Sequence, residues 1–415
     1  MKEMRYEKKV HPHPFKPKLK RALGFWQATI CGIGIILGAG IYALIGVAAG
    51  IAGPALWLSF LIAGIIAGLT GLSYAELSSI FKKDAAEYDY TKKAFNKKIA
   101  FVIAIMMILA ALFTAATVAI GFGGYFASIF NTNIIVIAIL LILALSVVNL
   151  TGIKESAMLN TIFTIIEAAG LLFIIFIGIK HWGTVDLLYM PNGFSGVLQA
   201  GALVFFSYIG FQSIVKLTEE TKKPTKNIPK AILFSIVFST IIYVLVAISA
   251  VSVVNWQALS TSAAPLADVA GTALGGYTFL IIAIIALFST TNTVLMDIVT
   301  TSRAFYGMAK MNAFPKILGK VSHKTKTPHY AIAAVALIII CMIFIENLEQ
   351  VASLGNFFTF ITFAIINFTV IVLRKTHKVK RPFKVPGMLF GIPILPVLGT
   401  LSSLGMLYFV FQSLL

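Results

Sequence analysis

The chain has 415 residues, 59% of them apolar and only 12% charged, with a mean hydropathy of +0.95. A soluble domain carries roughly 25% charged residues, so an ordinary soluble enzyme, a disordered chain and a disulfide scaffold are all excluded. The formal net charge of +18 would suit nucleic acid, so the placement of the charges has to decide. Cys31 and Cys341 lie in separate apolar stretches with no ligand spacing, and are expected to be reduced, inert thiols.

Residues 1–22 form a basic tail whose His11-Pro12-His13-Pro14 reads as a Pro-rich tail rather than a metal site. No cleavable signal is expected, because the apolar stretch that follows is too long. A bilayer core takes about 20 apolar residues in a helix. Runs of that length occur at about 23–50, 54–80, 99–130, 133–151, 157–179, 195–217, 229–254, 268–303, 328–345, 350–373 and 388–414, eleven expected spans. The fold class is therefore an all-α polytopic membrane protein. Every Lys and Arg except Lys180 falls before span 1 or after spans 2, 4, 6, 8 and 10. Basic flanks stay in the cytoplasm, so the N-terminus is expected inside and the positive balance reports topology; no nucleic-acid partner is expected.

Span 1 contains Gly32-Ile33-Gly34-Ile35-Ile36-Leu37-Gly38-Ala39-Gly40-Ile41-Tyr42. Small residues of this kind pack helices closely, but Gly38-Ala39-Gly40 also lets the backbone leave helical geometry. Such a break frees N–H groups that suit a carboxylate and carbonyls that suit an ammonium, tolerable in lipid only where they line a cavity. Span 6 offers a second break at Phe205-Phe206-Ser207-Tyr208-Ile209-Gly210-Phe211. It corresponds to span 1 if 23–180 and 195–373 are inverted repeats, with 388–415 an added span. Paired interruptions of this sort point to a transporter site at mid-membrane.

These stretches resemble a known family. Gly32 to Tyr42, Ala52-Gly53-Pro54-Ala55, Leu58-Ser59-Phe60 and Tyr74-Ala75-Glu76 are similar to the amino acid–polyamine–organocation superfamily, closest to the permeases grouped with the cationic amino acid transporters. Phe206 to Phe211, Glu219-Glu220 and Pro224-Thr225-Lys226-Asn227-Ile228-Pro229 resemble its sixth helix and the following loop. Ser302-Arg303 with Tyr306-Gly307-Met308-Ala309 resembles the end of its eighth, and Arg381-Pro382-Phe383-Lys384-Val385-Pro386 the approach to its eleventh. The resemblance implies a five-plus-five inverted-repeat fold with discontinuous helices 1 and 6, and secondary transport of amino acids without enzymatic activity or cofactor. Two departures are that this chain has eleven spans where relatives commonly have twelve or more, and that Lys83-Asp84-Ala85-Ala86-Glu87-Tyr88 replaces a Gly-rich loop.

The third departure is Glu167, halfway through span 5, where proton-coupled relatives often carry a lysine. A charge at mid-bilayer costs at least about 2.5–3.5 kcal/mol, so Glu167 is expected to be neutral, paired or facing a cavity, and to be structurally bonded, to exchange a proton or to hold a cation. Ser289, Thr290 and Asn292 in span 8 supply oxygens that either meet a coupling proton, a cation (sodium being the lesser alternative) or Glu167, or bond back to the preceding turn. Asp297 lies nearer Arg303, for pairing or for proton exit, and Glu76 is expected to be structural at the inner gate. For the substrate, Gly38, Ala39 and Gly40 are expected to meet an α-carboxylate. Carbonyls of Ile35, Ile36, Phe206 and Ser207 are expected to meet the ammonium, at breaks that include Gly210. Phe206 matches the family's aromatic gate. Gln212 stands where several cationic-substrate relatives carry an acid, which favours a neutral amino acid. The competing readings are an amino acid or polyamine exchanger and a cation channel, though a channel would need a filter or charged ring. The sequence leaves the oligomeric state open.

Overall fold

The computed structural model describes residues 23–81, 86–151, 156–218, 221–310, 312–322, 325, 327–377 and 379–414. The basic tail 1–22, Lys83-Asp84-Ala85, Lys154, Glu219-Glu220, Lys324, Lys326 and Lys378 lie outside the described residues. Fifteen α-helices are described, and the strands among the described residues are one two-residue pair. Eight helical stretches are long and apolar enough to cross a membrane, and Phe25–Ile36, Ile134–Leu150 and His329–Ile343 are shorter apolar helices.

Span 1 is interrupted, as α1 (Phe25–Ile36) and α2 (Gly40–Ala52). Gly53, at φ 64°, turns the chain into α3 (Leu56–Ile80). The amphipathic α4 (Ala86–Ala94) precedes α5 (Lys97–Phe130), α6 (Ile134–Thr151) and α7 (Ser156–Gly178). Span 6 is α8 (Gly193–Val204) followed by tight turns, and span 7 is α9 (Pro224–Val253). The short helices α10 (Trp256–Thr261) and α11 (Pro265–Leu274) lead to α12 (Gly276–Lys310), then α13 (His329–Ile343) and α14 (Leu348–Thr376). Strands β1 (Met388–Leu389) and β2 (Ile392–Pro393) precede α15 (Ile394–Leu414). Each of the eleven expected spans finds helix, with three boundary corrections. Span 8 begins at 276 rather than 268, because Gly275 takes φ 97° and ends α11. Span 11 begins at 394, because an antiparallel hairpin uses the first six residues of the apolar run. Span 7 begins at Pro224, a residue already shaped for the first helical turn.

Asparagines punctuate the helices. The side chains of Asn96, Asn133 and Asn347 accept amides of the first turns of α5, α6 and α14 at 2.9–3.1 Å, each satisfying donors that a helix start leaves free. In the interior, α3 packs along α9, α1 along α9, and α5 against both α12 and α14. Those contacts enclose the broken helices.

Glu76 closes one end of the bundle. Its carboxylate accepts from Arg374 and from Arg381 Nε (2.9 Å), and from the Val385 amide (2.8 Å). All three charged side chains are at most 9% exposed. Removing one partner from a buried charge cluster costs about 3–5 kcal/mol. Glu76→Ala should therefore lower the stability of the detergent-solubilised protein by about that amount in a thermal melt; an unchanged melting temperature would mean the cluster is not structural.

Candidate functional site

The first break runs from Ile36 to Gly40. Leu37 leaves the helix at ψ 54°, and the Gly38 amide turns back onto the Ile36 carbonyl at 2.6 Å. Ala39 is already right-handed, and its carbonyl accepts from Ala43 at 3.0 Å. Of the three residues expected to offer amides, Gly38 thus has its own engaged locally, while Ala39 and Gly40 open the first turn of α2, where amides lack a preceding partner.

The second break follows Val204. Residues 205–208 tighten into a turn, Ile209 is extended at ψ 127°, and Gly210 sits at φ 132° before the tight turns of 211–217. Gln212 Oε1 accepts the Gly210 amide at 2.9 Å. Its oxygen is therefore engaged at the break itself.

The two breaks touch. A methyl placed on Gly210 would sit 2.7 Å from the Ile35 carbonyl oxygen, and one on Gly40 would sit 2.8 Å from Ser207 Cα and 3.1 Å from Phe206 Cδ1. Ile35, Gly40, Phe206, Ser207 and Gly210 are thereby brought together. The Ile36 carbonyl is not free as expected: the hydroxyl of Tyr243 on α9 lies 2.6 Å from it and 3.0 Å from the Ser207 carbonyl, with one proton to donate between them. The Ser207 hydroxyl itself is buried without a hydrogen-bond partner. From α14, Asn356 Nδ2 donates to the Ala202 and Leu203 carbonyls at 2.8 and 2.9 Å, holding the end of α8. Tyr243 and Asn356 were missed in the sequence; their signal was a polar group in the interior of a span, shared there with neighbouring Ser and Thr residues.

Glu167 is 3% exposed, and its carboxyl accepts from the Ser289 hydroxyl. Its backbone carbonyl accepts from Tyr42 Oη at 3.1 Å, and the Tyr42 carbonyl accepts from Tyr125 Oη, also at 3.1 Å. One chain of contacts thus joins the second half of span 1 to spans 3, 5 and 8. Thr290 does not join it. Its hydroxyl bonds back to Ala286 and Leu287, so it is a helix-internal residue. Thr293 bonds back to Ser289 at 3.1 Å and borders Gly38. Asn292 and Asp297 are half-buried on the same helix. Asp297 stands eight residues beyond Ser289, about 12 Å along the axis, and so apart from Glu167.

The sequence model of the family described as "Amino acid permease" matches residues 23–414. The chain belongs to that family. Its relatives include a branched-chain amino acid permease of Bacillus subtilis, 32% identical over 93% of this chain and 87% of the relative. A methylthioribose transporter of the same organism is 29% identical over 94% and 88%, and a vacuolar cationic amino acid transporter of Arabidopsis thaliana is 27% identical over 95% and 68%. The protein is an amino acid transporter of the membrane and not an enzyme.

Two substitutions test whether the permease depends on contact between its breaks. Gly210→Ala combines a positive φ with a clash against Ile35 and should abolish uptake, whereas Gly68→Ala, which meets nothing within 4 Å, should leave it intact; equal uptake by both would contradict the contact. Tyr243→Phe leaves the Ile36 carbonyl its bond from the Gly38 amide but takes the Tyr243 hydroxyl from the Ser207 carbonyl, and should destabilise the substrate-free permease by about 1–3 kcal/mol in thermal melts, with an unshifted melt counting against the brace.

Proposed function

We propose that the permease imports neutral amino acids across the cell membrane in symport with protons, by alternating access between halves 23–180 and 195–373, with its N-terminus in the cytoplasm. The α-carboxylate is held by the amides that open α2 at Ala39 and Gly40, where the helix dipole also favours an anion. The ammonium meets the carbonyls of Ile35, Phe206 and Ser207, and takes over the Ile36 carbonyl when the Tyr243 hydroxyl moves to its other acceptor. Phe206 closes over the substrate. The neutral preference is supported by Gln212, whose oxygen bonds the Gly210 amide, and by the branched-chain amino acids in the name of one relative.

The observation that carries the coupling is the buried Glu167–Ser289 hydrogen bond, joined to α2 through Tyr42. An ionised carboxyl only accepts from Ser289, whereas a protonated one also donates. A proton arriving at Glu167 therefore changes the bonding of the residue whose backbone braces Tyr42, four positions from the break at Gly38. In this reading Asp297, about 12 Å further along α12, receives the proton on its way out.

The test is uptake into proteoliposomes under an inward proton gradient. Glu167→Gln cannot carry the proton, so pH-driven accumulation should vanish while substrate binding remains measurable. Unchanged accumulation by this variant would remove Glu167 from coupling. Uptake by the unsubstituted permease that needs internal substrate and ignores the gradient would make it an exchanger.

A further inference from the structure

Between α14 and α15 the chain reads Lys380-Arg381-Pro382-Phe383-Lys384-Val385-Pro386-Gly387-Met388-Leu389-Phe390-Gly391-Ile392-Pro393. Its end is the β1–β2 hairpin, paired Met388 to Pro393 and Leu389 to Ile392. The two turn residues both lie in the left-handed region, Phe390 at φ 47° and Gly391 at φ 79°. That conformation suits a two-residue hairpin, whose first position ordinarily carries Asn, Asp or Gly. Here it carries an aromatic ring that is 95% exposed, flanked by Met388, Leu389 and Ile392 at 42–55%. Of the four apolar side chains on this six-residue tip, Phe390 touches little of its own fold and the other three are about half covered.

The root of this hairpin is fixed. The Val385 amide donates to Glu76, the Val385 carbonyl accepts from Arg374 at 2.9 Å, and the Ile394 amide donates to the Gly387 carbonyl at 3.1 Å. The tip is therefore held out from the bundle instead of folding back over it. It runs directly into α15, whose Leu398, Leu401, Leu404, Tyr408 and Phe411 are exposed apolar side chains, the surface such a span would turn to lipid. Lys380 and Lys384, eight and four residues before Met388, are exposed, in a loop after an even-numbered span, the set of loops that with the N-terminal tail carries nearly all the basic residues.

We propose that this hairpin is a lipid anchor: Phe390 and its apolar neighbours insert into the cytoplasmic leaflet, and Lys380 and Lys384 hold the phosphates of anionic lipid headgroups. An apolar tip continuous with a lipid-facing helix and bordered by lysines has the chemistry of an interfacial element, with area burial and charge acting together. Because its root is bonded to Glu76 on α3 and Arg374 on α14, the anchor also ties the bilayer surface to one end of the bundle.

The proposal rests on the cytoplasmic orientation given above, but its test reads depth and needs no transport, so failure of coupling and failure of anchoring are scored apart. F390C, in a background with Cys31 and Cys341 replaced by Ser, is spin-labelled in bilayers containing phosphatidylglycerol. The label should be accessible to oxygen and shielded from a water-soluble nickel chelate. Adding K380E and K384E should shift it toward the chelate, by roughly fivefold in tip partitioning per lysine lost. A label open to the chelate in those bilayers places the tip in water and overturns the anchor. A label shielded from both reagents means that protein, a second copy or the basic tail, covers the tip, which equally overturns it. Insertion that ignores both lysine substitutions overturns the headgroup contact.

Discussion

A peptide group removed from its helix inside a bilayer has no water to bond, so every broken turn must be matched by a partner elsewhere in the protein. Two such breaks, in spans 1 and 6, lie against each other here, and much of the surrounding structure answers their unpaired groups. Close approach is possible because Gly40 and Gly210 carry no side chain at the contact. Had either been any other residue, the Ile35 carbonyl and the Ser207 backbone could not come so near. In the proposed mechanism the same bareness lets a small zwitterion meet peptide dipoles directly.

The partners come from helices that remain whole. Tyr243 on α9 reaches one carbonyl from each break, and Asn356 on α14 holds the last carbonyls of α8. Tyr208, inside the second break, donates to the Phe60 carbonyl of α3 at 2.8 Å, and Tyr125 on α5 supports Tyr42. Each is a neutral hydroxyl or amide. An unmet buried acceptor costs about 1–3 kcal/mol, so these donors decide whether the breaks persist. They also explain how a substrate could replace a bond without stranding a charge, since a phenol can turn between two acceptors as an ammonium arrives.

Much of this was legible in the sequence. Glycine density placed the first break within a residue of its position, and the Ser207–Gly210 stretch placed the second. Hydropathy found all the spans but misjudged the start of the eighth and eleventh, because Gly275 and the Phe390-Gly391 turn end regular structure without interrupting the run of apolar residues. Roles within the site were harder to read. Gln212 and Ile36 stand where expected, yet their polar atoms are used by the fold, and Thr290 turns back on its own helix. A sequence gives the position of a hydroxyl along a helix but not the face that its neighbours leave free. Tyr243 and Asn356 escaped for the same reason: each is one of several polar residues in its span, and only the contact with another helix assigns its part.

The central claim, that bare backbone at the two breaks grips both ends of a zwitterion, is tested most directly by determining the structure with an amino acid bound. The account predicts density for the carboxylate against the amides that open α2 at Ala39 and Gly40, with the ammonium between the Ile35 and Ser207 carbonyls and the Tyr243 hydroxyl turned away from Ile36. An amino acid bound elsewhere, with spans 1 and 6 wound continuously through the membrane, would contradict it.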